Sequence, residues 1–360
     1  MKQILENRFF PTPRLLRMPS VGIDISDQSI KFAELIPYRG SFRLGRYGEE
    51  QIPAGIVAGG KIIDSKKLSE VLASIREKHG LSFVRVAMPE EQVYLFRVKI
   101  PRMDRQSIRN AIELQLEEHI PMAAVDSVFD YDLVSEGDSW YSIKVLASSQ
   151  VTIDSYLELF ASSGYTPISL ELEASAIMRA VIPEGDASTV MVVDFGHTRT
   201  GVSIVSDRKV LFATTLDIGG RALTEILEKN FKISFAEAEG MKKTFDLSRN
   251  APERELFAVL LNNISVLRDE INKHYVYWHT HKEEDGVAHP AIEKIVLCGG
   301  DSNLIGLVDY LSMSMRTTVV LADAWANIAT DNGYVPEINF NDSLGYVTAI
   351  GLALRDFTHD

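Results

Sequence analysis

Three short segments, far apart in the chain, each set small and polar residues at the end of a run of β-branched residues. They are Val21-Gly22-Ile23-Asp24-Ile25-Ser26-Asp27-Gln28-Ser29-Ile30-Lys31, Val190-Met191-Val192-Val193-Asp194-Phe195-Gly196-His197-Thr198-Arg199-Thr200 and Ile295-Val296-Leu297-Cys298-Gly299-Gly300-Asp301-Ser302. Apolar runs of this length, bounded by turn residues, read as buried strands. Moreover, Val190–Asp194, Gly201–Ser206 and Lys209–Thr215 copy Val21–Asp24, Ser29–Ile36 and Phe42–Gln51 roughly 170 residues further on. A repeat of strand, turn and strand at that distance predicts an α/β chain of two duplicated lobes, with the turns facing a shared cleft.

At 360 residues the chain exceeds one compact core. A net charge of −13 excludes the broad basic face of a sequence-independent nucleic-acid binder. It equally opposes docking of the whole body on anionic lipid. Nucleotide binding survives both objections, because backbone N–H groups and a divalent ion can hold phosphates without net positive charge. One cysteine, Cys298, allows no internal disulfide; it ends an apolar run and reads as a buried, inert thiol. No run approaches the roughly 20 apolar residues of a membrane span, and none forms the apolar centre of a signal peptide. A soluble cytoplasmic body without a transmembrane segment is expected.

Residues 1–19 carry Lys2, Arg8, Arg14 and Arg17 against Glu6, with Pro11, Pro13 and Pro19 interrupting any helix. They read as a flexible basic tail, or as a tether to a partner or lipid at a membrane. Asp64-Ser65 opens a helix through Lys78 that Gly80 stops. Residues 83–167 read as an inserted small α+β module. Its helix, Asp104–His119, carries Ile108, Ile112, Leu116 and Ile120 on one face and ends at Pro121. The first lobe then comprises 20–82, completed by 168–188 and 343–360. The second comprises 189–222 and 292–342, with a helical part at 223–291. A helix over 304–313 is expected to take Asp301 or Ser302 as its N-cap, and a closing helix spans 343–354.

A phosphate chain in a cleft needs closely approaching N–H donors and carboxylates that hold Mg²⁺. Asp24 and Asp194 both end buried strands, where a charge is costly unless it faces a cation or a polar cleft. Either alone reads as a turn residue bonded to its own backbone; at repeat-related positions the pair points to function. Ser26, Ser29, Thr198 and Thr200 add hydroxyls beside the turns, and Lys31 is placed to meet a phosphate. Gly299-Gly300, without Cβ atoms, can let a base or ribose lie against the backbone.

On these motifs the chain resembles the actin-like ATPase superfamily, and within it the PilM/FtsA branch, most of all the PilM family of type IV pilus machines. The resemblance spans about residues 20–356. It extends to Ile100-Pro101-Arg102-Met103, Glu171-Leu172-Glu173-Ala174-Ser175-Ala176, Asp217-Ile218-Gly219-Gly220, Ala238-Glu239-Gly240-Met241-Lys242 and Tyr346–Leu354. It implies a two-lobed, ribonuclease H-like duplicated fold with a 1C-type insertion between 1A, 2A and 2B parts. It also implies ATP and Mg²⁺ as ligands. Asp24 and Asp194 would approach the metal, and Ser26, Ser29, Lys31, Gly196, Thr198 and Thr200 would surround the phosphates. Glu239, Lys242, Gly299 and Gly300 would form the nucleoside end. The implied role is a scaffold of the pilus assembly platform at the inner membrane, binding the N-terminal cytoplasmic peptide of a PilN-like protein. Pilus motor ATPases and self-association are further implied contacts. Alternatives are an FtsA-like filament protein at a membrane and a sugar-kinase-like phosphotransferase. His197 and Arg199 are bulkier than the small residues common in this second motif, and no general base for water stands out. At most slow hydrolysis is expected.

Three further patterns carry no such weight. Gly55–Lys61 spells a P-loop but ends in Ile62, where the metal needs Ser or Thr. Asp194-Phe195-Gly196 lacks the other kinase motifs. His274, His279, His281 and His289 lack a completing cysteine, and the adjacent Glu283, Glu284 and Asp285 read as a solvated tip.

Overall fold

The computed structural model describes residues 20–39, 41–244, 247, 254–282, 288–328, 334–355 and 357. The basic segment 1–19 and the acidic residues 283–285 lie outside the described residues.

Strand β1 (Val21–Ile25) runs antiparallel to β2 (Ser29–Tyr38), which pairs with β3 (Ser41–Gln51). A short ribbon of β4 (Val57–Ala58) and β5 (Lys61–Ile62) leads to α1 (Ser65–His79). Asp64 caps α1 by accepting the Lys67 N–H, and Gly80 ends it in the left-handed region, as the sequence predicts. Then β6 (Phe83–Met88) returns parallel to β1.

Next come β7 (Tyr94–Pro101), α2 (Arg105–Glu113), α3 (Leu116–His119), β8 (Ser127–Glu136) and β9 (Trp140–Ser149). They form a separate three-stranded sheet in the order β7-β9-β8. The single helix expected over 104–119 is broken at Leu114-Gln115. The break keeps Ile108, Ile112, Leu116 and Ile120 all buried against Val98, Ile143 and Val145 while Leu114 turns outward. Burying each such side chain contributes about 1.5–3 kcal/mol, enough to outweigh the lost turn of helix.

Helix α4 (Gln150–Ser162) and β10 (Thr166–Leu172) rejoin the first sheet, whose order is β10-β6-β1-β2-β3. Here the expected inserted segment contracts at both ends. Phe83–Met88 pairs with β1, and Tyr156, Leu159 and Phe160 of α4 sit in the core beneath β1 and α1.

After α5 (Glu173–Val181) the pattern restarts with β11 (Thr189–Phe195), β12 (Thr200–Ser206) and β13 (Lys209–Leu216). Three helices follow: α6 (Gly220–Phe231), α7 (Phe235–Thr244) and α8 (Arg254–Thr280). Strand β14 (Lys294–Cys298), α9 (Leu307–Met315), β15 (Val319–Leu321), α10 (Phe340–Ser343) and α11 (Val347–Leu354) complete the chain. The second sheet runs β13-β12-β11-β14-β15, with β14 and β15 parallel to β11. It matches the first strand for strand, so the repeat seen in sequence is a repeat of topology.

Helices α5 and α11 lie between the two sheets. Their apolar residues share one core with Ala33, Leu35 and Leu44 of the first sheet and Val190, Val192 and Val205 of the second. At their contact a Cβ on Gly351 would stand 1.8 Å from the Ala176 carbonyl oxygen, so only glycine allows the two backbones this close. Arg179, 1% exposed, fastens the pair: it donates to the Gly351 carbonyl and to Glu171. Among the described residues no helix is long and apolar enough to cross a membrane.

Candidate functional site

Strands β1 and β11 each end in a turn of four residues closed in the same way. Ser26 donates its N–H to the Ser29 carbonyl at 2.9 Å, and Gly196 donates its N–H to the Arg199 carbonyl at 3.0 Å. The registers make Asp24 the counterpart of Asp194, since each stands one residue before the last pair of its ladder. Both turns, with Gly299-Gly300 after β14, open on one cleft of about 990 Å³.

Eleven of the twelve residues expected at the site line this cleft: Asp24, Ser26, Ser29, Lys31, Asp194, Gly196, Thr198, Glu239, Lys242, Gly299 and Gly300. Thr200 does not. It is the counterpart of Ile30, both are fully buried, and its hydroxyl donates to the Ile218 carbonyl at 2.6 Å. Its parity on the strand, opposite to that of Asp194, sends it into the core.

Other residues reach the wall with their polar atoms already engaged. The Ser26 hydroxyl donates to the Ser29 carbonyl and accepts the Ser29 N–H, which stiffens the turn. Lys31, opposite Asp24 in the ladder, donates to the Ser29 hydroxyl at 3.2 Å and pairs with Glu49 at 3.3 Å. Lys242 is 1% exposed; its ammonium meets the Gly220 carbonyl, Glu239 and Asp301. It therefore orients Glu239 and Asp301 rather than facing a ligand. Asp301 is not a helix cap, because α9 starts later, at Leu307, after Gly306. Although burial opposes its charge, hydrogen bonding from His197 and Lys242 holds the Asp301 carboxyl below its usual range. His197, Glu239 and Asp301 bring three ligand-type atoms within 4.8 Å of one another, a place that the Lys242 ammonium already shares.

Gly299 and Gly300 differ. Gly299 has φ +93°, and a Cβ there would stand 2.4 Å from Asp194 Oδ1, whereas a Cβ on Gly300 meets nothing within 4 Å. Gly299 packs the turn against Asp194, and Gly300 presents open backbone to the cleft.

The floor of the cleft is acidic. Burial pushes Asp24 up against the opposing pull of Lys31 and Arg199. Burial, with Asp24 nearby, lifts Asp194 to about 6. Two buried carboxylates, one of which raises the other, are a donor set for a hard cation, and oxygen ligands of this kind fit Mg²⁺. Glu90 and Glu173 also line the cleft, and sequence reasoning missed both as site residues. Glu90 accepts the Ala174 N–H at the start of α5 at 2.8 Å. Burial raises it to about 7, with Glu91 adding to the rise and a hydrogen bond with Glu173 opposing it; burial, with Glu90 nearby, raises Glu173 well above the carboxylate range. Cys298, paired with Asp194 across β11 and β14, is buried, and its thiol is pushed far up.

Two residues of the second turn reach across the cleft. Thr198 Oγ1 donates to Asp27 Oδ2 at 3.2 Å, and Arg199 Nη1 lies 2.9 Å from Glu91 Oε1 and 3.6 Å from Asp27 Oδ1. Of the histidines set aside above, His279 has Nδ1 against the Tyr275 carbonyl and accepts the Ile292 N–H on Nε2. His281 stacks on Tyr277 and His289 on Trp278. They serve packing and capping.

Residues 22–357 match the family described as Type IV pilus assembly protein PilM. Among solved structures, a PilM-PilN type IV pilus biogenesis complex superposes with a TM-score of 0.79 at 20% identity, over 95% of this chain and 100% of that one. The ethanolamine utilization protein EutJ from Carboxydothermus hydrogenoformans gives 0.55 at 17% identity, over 96% and 91%. MreB5 of Spiroplasma citri bound to ADP gives 0.54 at 13% identity, over 92% and 94%. At these identities the likeness is one of fold, and that fold is the duplicated actin-like one expected from the three motifs.

Proposed function

The chain belongs to the PilM family of type IV pilus assembly proteins, and on that premise we propose that it is a nucleotide-dependent scaffold of the pilus assembly platform. The observation that carries the nucleotide half of this reading is one cleft with two repeat-related aspartates on its floor and the open Gly300 backbone on its wall. Asp24 and Asp194 would hold Mg²⁺, whose charge offsets that of the phosphates. The hairpin turns would surround the phosphate chain, and Glu239, steadied by Lys242 and Thr224, would meet the ribose. The nucleotide-bound MreB5 of the same fold supports the ligand class.

Hydrolysis on this reading is slow. Glu90 and Glu173 are the carboxyl groups nearest in kind to a general base, yet burial favours their protonated forms near neutral pH. A protonated carboxyl cannot accept a proton from water.

The partner half of the reading draws on the likeness to the PilM-PilN complex. We assign the N-terminal peptide of a PilN-like inner-membrane protein to the region between the first sheet and the β7-β9-β8 sheet. This chain would then work in the cytoplasm, held at the inner membrane through that partner, with motor ATPases and other copies of itself as further contacts. Calorimetry tests both halves together. Mg·ATP is expected to bind, and saturating Mg·ATP to change the affinity for a PilN-type peptide. Peptide affinity that ignores nucleotide would remove the coupling; absence of nucleotide binding would remove the cleft assignment.

A further inference from the structure

Arg199 is the last residue of the second of the two hairpin turns that face the cleft. It projects from the second turn, lines the cleft, and reaches Glu91 and Asp27 on the opposite lobe. Arg199 and Asp27 line the cleft, and side-chain exposures of 16% for Arg199, 16% for Asp27 and 23% for Glu91 leave all three largely covered. The cluster is incompletely satisfied. Asp27 Oδ1, Glu91 Oε2 and Arg199 Nη1 are each buried without a well-formed hydrogen bond, although Nη1 approaches Glu91 to 2.9 Å. Buried polar atoms are rarely left so, and three at one point leave Arg199, Asp27 and Glu91 with donor and acceptor capacity to spare. Acidic side chains surround the arginine: Asp24, Glu90, Glu173 and Asp194 crowd the same floor, with Lys31 as a second nearby cation.

We propose that Arg199 changes partners on nucleotide binding, leaving Glu91 and Asp27 for the terminal phosphate, so that the cleft distinguishes a nucleoside triphosphate from a diphosphate. A guanidinium suits this exchange because its planar fork fits carboxylate and phosphate alike. In the empty cleft the arginine ties the lobes together through the acids. With a triphosphate bound it ties them through the ligand, and Asp27 and Glu91 are released. This rests on the nucleotide reading given above.

The test is titration of Mg·ATP and Mg·ADP into wild type, Arg199→Ala, Arg199→Lys and Glu91→Gln, with thermal melts confirming that each variant is folded. Arg199→Ala is expected to weaken Mg·ATP about tenfold or more, the scale of a lost charge-assisted contact, while Mg·ADP changes little. Arg199→Lys is expected to restore part of the difference. Glu91→Gln is expected to tighten Mg·ATP, because the arginine no longer has to leave a charged partner. If Arg199→Ala binds Mg·ATP as well as or better than wild type, or loses both nucleotides equally, the arginine is a fixed tie and the proposal falls. In those cases wild-type binding stands; wild type that binds neither nucleotide overturns the nucleotide reading as well.

Discussion

The hairpin of β1 and β2 and the hairpin of β11 and β12 are two copies of one scaffold with opposite electrical arrangements. Each has an aspartate two residues before the turn, a turn of four residues, and the same closing backbone hydrogen bond. In the first copy, Lys31 faces Asp24 across the ladder, and Ser26 caps its own turn. In the second, the position of Lys31 is Gly201 and that of Ser26 is Gly196, neither of which has a side chain to offer. The cation of the second hairpin is Arg199, which occupies the place of Ser29 and reaches over to the first lobe. Backbone geometry thus repeats while charge does not. The first hairpin keeps its cation, Lys31, within its own ladder, and the second sends its cation, Arg199, to the other lobe.

Removing each aspartate in turn is the strongest way to break this comparison. Asp24→Ala and Asp194→Ala should both weaken Mg·ATP on the order of a hundredfold, equivalent to a lost charge-assisted contact of about 3 kcal/mol. A loss confined to one of them, read by calorimetry, would show that the two copies do not share the ligand.

The acidic floor should make stability depend on pH. Glu90 at about 7 and Asp194 at about 6 keep protons that the unfolded chain has released above about pH 4.5. The folded state therefore binds more protons across this window, and these groups lower stability as the pH rises from about 5 to 7.5. Chemical denaturation at several pH values is expected to show that fall and a smaller one in Glu90→Gln.

Gly201→Lys puts the missing cation into the second copy. A Cβ there stands 3.6 Å from the Asp194 Cβ, an ordinary contact. The Asp194 titration followed by NMR should move down by about one unit, as an adjacent ammonium requires. No movement would mean that burial alone sets its position.

Thr198→Val removes the uncharged contact that the second turn makes across the cleft, with an expected cost of no more than about 1.5 kcal/mol of stability, read from a denaturation midpoint.

Much of this contrast was legible in the chain itself. Alternation and turn residues locate β1, β2, β11 and β12, and the shared Asp24 and Asp194 follow from them. Even the burial of Thr200 could have been read from its parity against Asp194. Cross-cleft chemistry could not. Nothing local sets Glu90 beside Glu173 or Arg199 beside Glu91; more than eighty residues separate the first pair and more than a hundred the second. Lys242 shows the same limit from the other side, because its position one turn after Glu239 cannot reveal that Asp301 and the Gly220 carbonyl would claim its charge. The break at Leu114 was hidden for a different reason. Helical spacing of the apolar residues on either side is kept through it, so the pattern carries no mark of the interruption.

The crossing of α5 and α11 limits how the two sheets can move. With Gly351 set against the Ala176 backbone and Arg179 bonded across the contact, neither helix has room to slide along the other. What remains is rotation about that crossing, a hinge rather than a shear. The β7-β9-β8 sheet would feel such a rotation directly, because its Leu95 and Leu146 pack against the core that holds α5 and α11.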